Sequence, residues 1–153
     1  MTARAFTVRP AQLGDWEQIY PLYGDVPAHD SLAAARKRFG RKLASELECV
    51  LVAVQGQRVI GVALAHQWEE YLMTGERQIR FSTLKVLPEE RRRGVGKALL
   101  EGIIAWAKSR DARWLEWYAS PSAVPFYSRL GYQGILDPTP DNPYYEIDFK
   151  ADS

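Results

Sequence analysis

The sequence has few of the residues that build metal sites and disulfides. Its 153 residues include one cysteine, Cys49, and two histidines, His29 and His66. One cysteine cannot form an internal disulfide, and the wide separation of the two histidines gives no metal-ligand spacing. We therefore expect no bound metal. A single free cysteine also makes a reducing compartment the simpler interpretation.

Excess charge and long apolar runs are missing too. The formal net charge is +1, so there is little of the phosphate-neutralising surface that nucleic-acid binding uses. No uninterrupted apolar run approaches the roughly 20 residues that span a bilayer. The first ten residues, MTARAFTVRP, contain no apolar segment of the kind found in secretion signals. We expect a soluble, cytoplasmic protein with no nucleic-acid or membrane partner.

The pattern that is present predicts one mixed α/β domain over residues 1–153. Apolar residues make up 46% of the chain and charged residues 25%, as in ordinary globular proteins. Short branched runs predict strands and helically spaced apolar residues predict helices. The predicted strands cover residues 6–9, 50–54, 59–65, 78–86, 114–118 and 144–149. The predicted helices cover residues 15–23, with Asp15 as the cap, and residues 31–47, 94–109 and 122–130. Hairpins at the centre and a late helical crossover fit a mixed sheet with flanking helices.

One segment joins a strand to a basic loop, two glycines and the start of a helix. It reads Leu84-Lys85-Val86-Leu87-Pro88-Glu89-Glu90-Arg91-Arg92-Arg93-Gly94-Val95-Gly96-Lys97. Free N–H groups at a helix N-terminus favour anions, and glycines let a pyrophosphate approach the backbone. The spacing differs from a Walker loop and lacks the third glycine of the dinucleotide fingerprint. Taken alone, the segment is equally consistent with a tight turn bearing solvated arginines.

Two segments together resemble the GNAT superfamily. Arg91-Arg92-Arg93-Gly94-Val95-Gly96 matches its acyl-CoA signature, Gln/Arg-x-x-Gly-x-Gly/Ala. Residues 122–132 are similar to the family's Ala-x-x-x-Tyr-x-x-x-Gly-Phe/Tyr segment, with Tyr127 as its tyrosine. The resemblance covers residues 84–132. It implies a central, mostly antiparallel splayed sheet flanked by helices. It also implies an N-acetyltransferase in which a primary amine, of a small molecule or of a peptide or protein, attacks acetyl-CoA directly in a ternary complex.

The resemblance also implies which residues bind acetyl-CoA. The backbone of Leu84, Lys85 and Val86 would pair with the pantetheine arm, and an N–H near Val86 would stabilise the oxyanion. The pyrophosphate would be wrapped by Arg91, Arg92, Arg93, Gly94, Val95, Gly96 and Lys97. Ser120 stands next to Pro121 where the family often has a CoA-contacting asparagine, and a serine still forms hydrogen bonds.

Two side chains are implied for proton transfer. Tyr127 occupies the position whose hydroxyl can protonate the departing thiolate, although a core aromatic is the alternative. Glu116 lies in Leu115-Glu116-Trp117, which resembles the family's Leu-Glu-Val strand, and would be the general base. A solvent-facing glutamate is equally consistent with that pattern. The usual acidic position of the preceding strand falls near Phe81 or Ser82, so that source of a base is missing.

The acceptor is not encoded in any motif that we recognise. Acidic residues could attract a cationic amine or merely cap strands and a hairpin tip; they are Glu69, Glu70, Glu76, Asp137, Asp141, Glu146 and Asp148. Some aromatic residues could form an acceptor wall; they are Trp68, Tyr71, Trp114, Trp117 and Tyr118. A non-catalytic acyl-CoA sensor is the alternative to an enzyme, and a homodimer is common in the superfamily that the chain resembles.

Overall fold

The computed structural model describes residues 5–24, 30–135 and 143–150. The strands are β1 (Thr7–Pro10), β2 (Glu48–Gln55), β3 (Arg58–Glu70), β4 (Arg77–Val86), β5 (Ala112–Tyr118) and β6 (Tyr144–Asp148). The α-helices are α1 (Trp16–Ile19), α2 (Leu32–Ala44), α3 (Val95–Ser109) and α4 (Val124–Arg129). Short 3-10 turns cover Leu13–Asp15, Tyr20–Tyr23, Pro88–Glu90 and Pro121–Ala123. No helix within these ranges is long and apolar enough to cross a bilayer.

The strands form one sheet in the order β1-β2-β3-β4-β5-β6. β1 pairs with β2 and β5 pairs with β6 in antiparallel fashion, whereas β4 and β5 are parallel. The parallel pair follows from the intervening helix α3, since parallel neighbours need a long crossover connection. Its ladder ends where Arg80 pairs with Glu116, although β4 continues to Val86. The mixed α/β fold predicted from the sequence is confirmed.

The chain forms two compact units. The first unit comprises Met1–Ala65 and Thr83–Ile103, and the second comprises His66–Ser82 and Ile104–Ser153. β3, β4 and α3 each contribute residues to both units. That residues 1–153 act as a single domain stays a prediction.

The first unit has a core of branched residues from β2 and β3, packed with Ile19 and Phe39. Two glycines let α3 lie close to the strands. A Cβ on Gly61 would come within 2.9 Å of Leu99 Cδ1, and one on Gly102 within 2.7 Å of Leu51 Cδ1. Since a real Cβ needs more space, these glycines set the distance between α3 and the sheet of this unit.

The second unit has a core of large side chains on one face of its strands. Ile79, Leu115, Trp117 and Tyr145 are each at most 2% exposed. The Trp117 and Tyr145 rings stack with centroids 5.3 Å apart. Because side chains alternate along a strand, the residues between them point to the opposite face, which is polar.

The first helical segment differs from the prediction. Residues 13–23 form a short α-helix between two 3-10 turns, because Pro21 opens the second turn and cannot continue a regular helix. Asp15 immediately precedes α1, as predicted for a cap, but its side chain makes no capping hydrogen bond to that helix. It is the third residue of the preceding 3-10 turn, and its carboxylate accepts the Gln12 N–H at 2.7 Å. Arg9 donates two hydrogen bonds to the same carboxylate, at 2.8 and 2.9 Å.

Candidate functional site

Residues 91–97, here called the glycine loop, open helix α3 with an unusual backbone. Arg92 has φ +65° and Gly94 has φ +81°, so two residues separated by one adopt the left-handed conformation. Such alternation forms concave arrays of N–H groups that bind anions. The α3 ladder begins with Ala98 donating to Gly94 at 2.9 Å. The N–H groups of Val95, Gly96 and Lys97 therefore precede that ladder, at the positive end of the helix dipole.

The basic side chains of the glycine loop differ in exposure and in ion pairing. Arg93 forms an ion pair with Glu90, a carboxylate that is only 7% exposed and that also lies 3.5 Å from Arg58. Arg93 thus anchors the loop, and its charge is already balanced. Arg91, Arg92 and Lys97 are exposed, and Lys97 Nζ lies 4.0 Å from Glu101. A Cβ on Gly94 would meet no heavy atom within 4 Å, so the space beside this backbone is open.

The strand that leads into the loop is partly accessible. Leu84 and Val86 are half-buried and Lys85 is exposed at the end of β4. The Arg91 Nε donates to the Val86 carbonyl at 3.3 Å, and the Leu87 N–H donates to Ile60 at 2.9 Å. These contacts fix the turn between β4 and the glycine loop. All of the predicted residues from Leu84 to Lys97 therefore lie together in the first unit.

Tyr127 lies in the core of the second unit. Its side chain is 5% exposed, and its ring packs 5.4 Å from Trp117 and 5.2 Å from Tyr145 between centroids. Burial, assisted by Tyr145, raises the pKa of the Tyr127 hydroxyl far above its usual range. The hydroxyl is therefore neutral at physiological pH, and it is a hydrogen-bond donor rather than a strong acid. Ser120 begins the turn before α4 and is exposed, with its Oγ 3.3 Å from that of Ser122.

Glu116 is buried, so the solvent-facing alternative is wrong. It is 3% exposed. Its Oε1 accepts two hydrogen bonds from Arg80, at 3.1 and 2.8 Å. Its Oε2 accepts from Gln78 Nε2 at 2.9 Å and from the Tyr144 hydroxyl at 2.6 Å. An ionised carboxylate offers about four acceptor positions, and here all four are occupied.

Glu116 and Tyr127 are not brought together. Tyr127 packs against Trp117, the next residue of β5 after Glu116, and neighbouring residues of a strand point to opposite faces. Of the other residues noted in the sequence, His29, Asp137 and Asp141 lie outside the described residues. Trp68 and Tyr118 lie on the Glu116 face, where the Arg80 guanidinium carbon is 5.1 Å from the Trp68 ring centre and 6.0 Å from that of Tyr118.

The partners of Glu116 and Arg93 were not anticipated from the sequence. Arg80 and Glu116 are opposed in the β4–β5 ladder. Because β4 also contains Arg77, Gln78 and Lys85, its sequence does not single out Arg80 as the partner of Glu116. Tyr144 is diagonal to Glu116 across the β5–β6 ladder, and only the register shows this.

Comparison with known families gives one match that spans most of the chain. The Acetyltransferase (GNAT) family model matches residues 13–132. This range includes the glycine loop, Glu116 and Tyr127. No curated protein is significantly similar in sequence.

Solved structures share the fold at low sequence identity. A transcriptional regulator from Bacillus halodurans C-125 is 22% identical, with a TM-score of 0.73 over 84% of this chain and 93% of that one. An N-acetyltransferase from Staphylococcus aureus Mu50 is 17% identical, with a TM-score of 0.73 over 94% and 98%. The PaiA N-acetyltransferase from Thermoplasma acidophilum, solved in complex with coenzyme A, is 13% identical, with a TM-score of 0.71 over 94% and 99%. At these identities the likeness concerns the fold alone.

Proposed function

Because the chain belongs to the GNAT acetyltransferase family, we propose that it transfers the acetyl group of acetyl-CoA to the nitrogen of an amine. The observation that carries this proposal is the glycine loop. Its left-handed Arg92 and Gly94 and the free end of α3 form a backbone anion site of the kind a pyrophosphate needs.

In this proposal the loop binds phosphate oxygens mainly through its backbone. Val95, Gly96 and Lys97 donate N–H groups, and open space beside Gly94 leaves room for the phosphates. Arg91, Arg92 and Lys97 add charge from exposed side chains, whereas Arg93 holds the loop through Glu90. The backbone of Leu84, Lys85 and Val86 is assigned to the pantetheine arm, with the Val86 N–H as oxyanion donor. Ser120 is assigned a hydrogen bond to the cosubstrate.

Tyr127 is assigned to the departing thiolate. Its raised pKa keeps the proton on the hydroxyl, so we infer that Tyr127 donates a hydrogen bond to the sulfur as negative charge develops there. Full transfer of its proton would be uphill, because a thiol has a pKa of about 8.5. Tyr127 thus contributes mainly by stabilising the leaving group.

Glu116 fits the role of general base poorly. Its four hydrogen-bond donors must be partly displaced before its oxygens can take a proton from the amine. We propose that Glu116 positions Arg80 and Tyr144 in the site. The proton of the amine is then accepted by a group other than Glu116. The occupied carboxylate is also the observation that keeps a non-catalytic acyl-CoA sensor as the second candidate function.

The experiment that separates the two candidates measures coenzyme A release from acetyl-CoA with pooled polyamines, amino acids, aminoglycosides and short peptides. Mass spectrometry of the products identifies the acetylated amine. Amine-dependent release supports the enzyme. Acetyl-CoA binding without coenzyme A release in the presence of any amine pool supports the sensor. Absence of acetyl-CoA binding contradicts both the enzyme and the sensor. The homodimer, the lack of a metal and the cytoplasmic location stay predictions.

A further inference from the structure

The open face of the second unit carries a row of polar side chains across three strands. Arg80 of β4 pairs with Glu116 of β5, which in turn pairs with Glu146 of β6. Residues directly opposed in a sheet project to the same side. We call this set, together with Tyr144, Tyr118 and Trp68, the polar face. It is distinct from the core face, where Tyr127 packs.

One hydroxyl on the polar face serves two carboxylates. The Tyr144 oxygen lies 2.6 Å from Glu116 Oε2 and 2.7 Å from Glu146 Oε2. A phenol has a single proton to donate, and carboxylates are acceptors only. At any moment one of these two short contacts therefore lacks a hydrogen, and a further donor would complete the arrangement.

The charges of the polar face are not balanced. Arg80 places both its Nε and an Nη on Glu116, so that pair is neutral. Glu146 is exposed, and its described hydrogen bond is to the neutral Tyr144. Among the described residues, the polar face consequently has one more carboxylate than it has cations, and the extra charge lies on the carboxylate that solvent can reach.

The polar face also carries exposed aromatic rings. Tyr118 is 58% exposed and its ring lies 5.4 Å from that of Tyr144. Trp68 is 42% exposed, with the Arg80 guanidinium 5.1 Å from its ring centre. Aromatic faces attract cations and cover apolar groups, so the exposed Tyr118 ring favours the same kind of ligand as the Glu146 carboxylate.

We propose that the polar face is the acceptor subsite, and that it selects a primary ammonium joined to an apolar or aromatic group without an adjacent carboxylate. This inference rests on the proposed acetyl transfer. The ammonium would donate to Glu146, supply the hydrogen that the Tyr144 pair lacks, and leave its apolar part against Tyr118. A carboxylate next to the amine would meet Glu146 and Glu116, while the Nε and one Nη of Arg80 are already bound to Glu116.

The test compares two probes that differ only in a carboxylate, 2-phenylethylamine and phenylalanine. Calorimetry in the presence of coenzyme A measures their binding, and coenzyme A release measures their acetylation. Glu146→Gln removes the charge at the subsite. Glu46→Gln is the matched control, because Glu46 is an exposed carboxylate of the first unit and loses the same charge. Tyr118→Leu tests the ring, with Tyr118→Phe as its control.

We expect 2-phenylethylamine to bind about tenfold more tightly than phenylalanine, a preference that Glu146→Gln largely removes and Glu46→Gln leaves unchanged. Tyr118→Leu should weaken the amine about threefold, and Tyr118→Phe should not. Acetylation that is equal for both probes and insensitive to Glu146→Gln would overturn the subsite but not the acetyltransferase. Binding that depends on Glu146 without acetylation of any amine would keep the subsite and contradict the transfer. Binding of neither probe at millimolar concentration would overturn the subsite.

Discussion

The glycine loop and the polar face present their functional groups in different ways. In the loop the groups that face a ligand are mainly backbone N–H donors, positioned by left-handed residues and the start of α3. On the polar face they are side chains from three strands, held by hydrogen bonds around Glu116. The loop therefore tolerates many side chains but few backbone changes, whereas the polar face depends on each side chain and its partner.

The largest effect is expected where a side chain invades the loop. Gly94→Glu places a carboxylate in the open space beside the free N–H groups, so it should reduce acetyl-CoA affinity by more than about 100-fold. Calorimetric titration measures the change, and circular dichroism checks that the fold is intact. Gly94→Ala is the control, since it has the same left-handed strain without the charge. Retained micromolar affinity in Gly94→Glu would contradict the pyrophosphate assignment.

The next largest effect concerns the stability of the polar face. Glu116→Ala leaves Arg80, Gln78 and Tyr144 without their shared acceptor, and we expect a loss of about 2 kcal/mol in unfolding free energy. The loss is moderated because Arg80 is partly exposed and can turn towards water. Urea unfolding measures it. Glu146→Ala, an exposed acid of the same face, should change stability by less than about 0.5 kcal/mol. Equal effects from both variants would mean that the network does not hold the face together.

A smaller effect is expected at Tyr127. Tyr127→Phe removes one hydrogen bond to the developing thiolate and should lower kcat about tenfold, with acetyl-CoA affinity unchanged. Burial raises the pKa of Tyr127, so the neutral form persists as pH rises through the ordinary tyrosine range near 10. Deprotonation of Tyr127 should therefore cause no decline in the kcat of the wild type near pH 10. A decline there that is absent from Tyr127→Phe would contradict the donor assignment.

The smallest effect tests whether the loop needs the Arg92 side chain. Arg92→Gly removes a charge but suits φ +65°, so acetyl-CoA affinity should fall less than about fivefold. Arg92→Ala removes the same charge and retains the strain. We expect the glycine variant to be more stable than the alanine variant by about 0.5 to 1 kcal/mol in thermal unfolding. A larger loss of affinity in both variants would show that side-chain charge dominates binding.

Much of the fold was predictable because its signals are local. Branched runs and glycines placed β2 to β5 and the start of α3 within a few residues. Gly131, directly after the last predicted helix, has φ +91°, a conformation for which glycine is the suitable residue. The first helix was predicted to be continuous, but Pro21 ends its regular part and the carboxylate of Asp15 binds Arg9 and Gln12 instead of capping α1. β3 extends to Glu70, beyond its apolar run, because hydrogen bonding to a neighbouring strand stabilises residues that the hydrophobic pattern does not predict as strand.

The candidate site shows the same difference between local and long-range signals. The sequence by itself determined the glycine loop and the short helix that carries Tyr127, because backbone conformation at glycines and helix ends depends on adjacent residues. It could not place Glu116 in a saturated network with Gln78, Arg80 and Tyr144. Those contacts join residues that are distant along the chain or depend on strand register. A shift of one residue in register would turn each side chain to the other face, so only the tertiary structure could decide them.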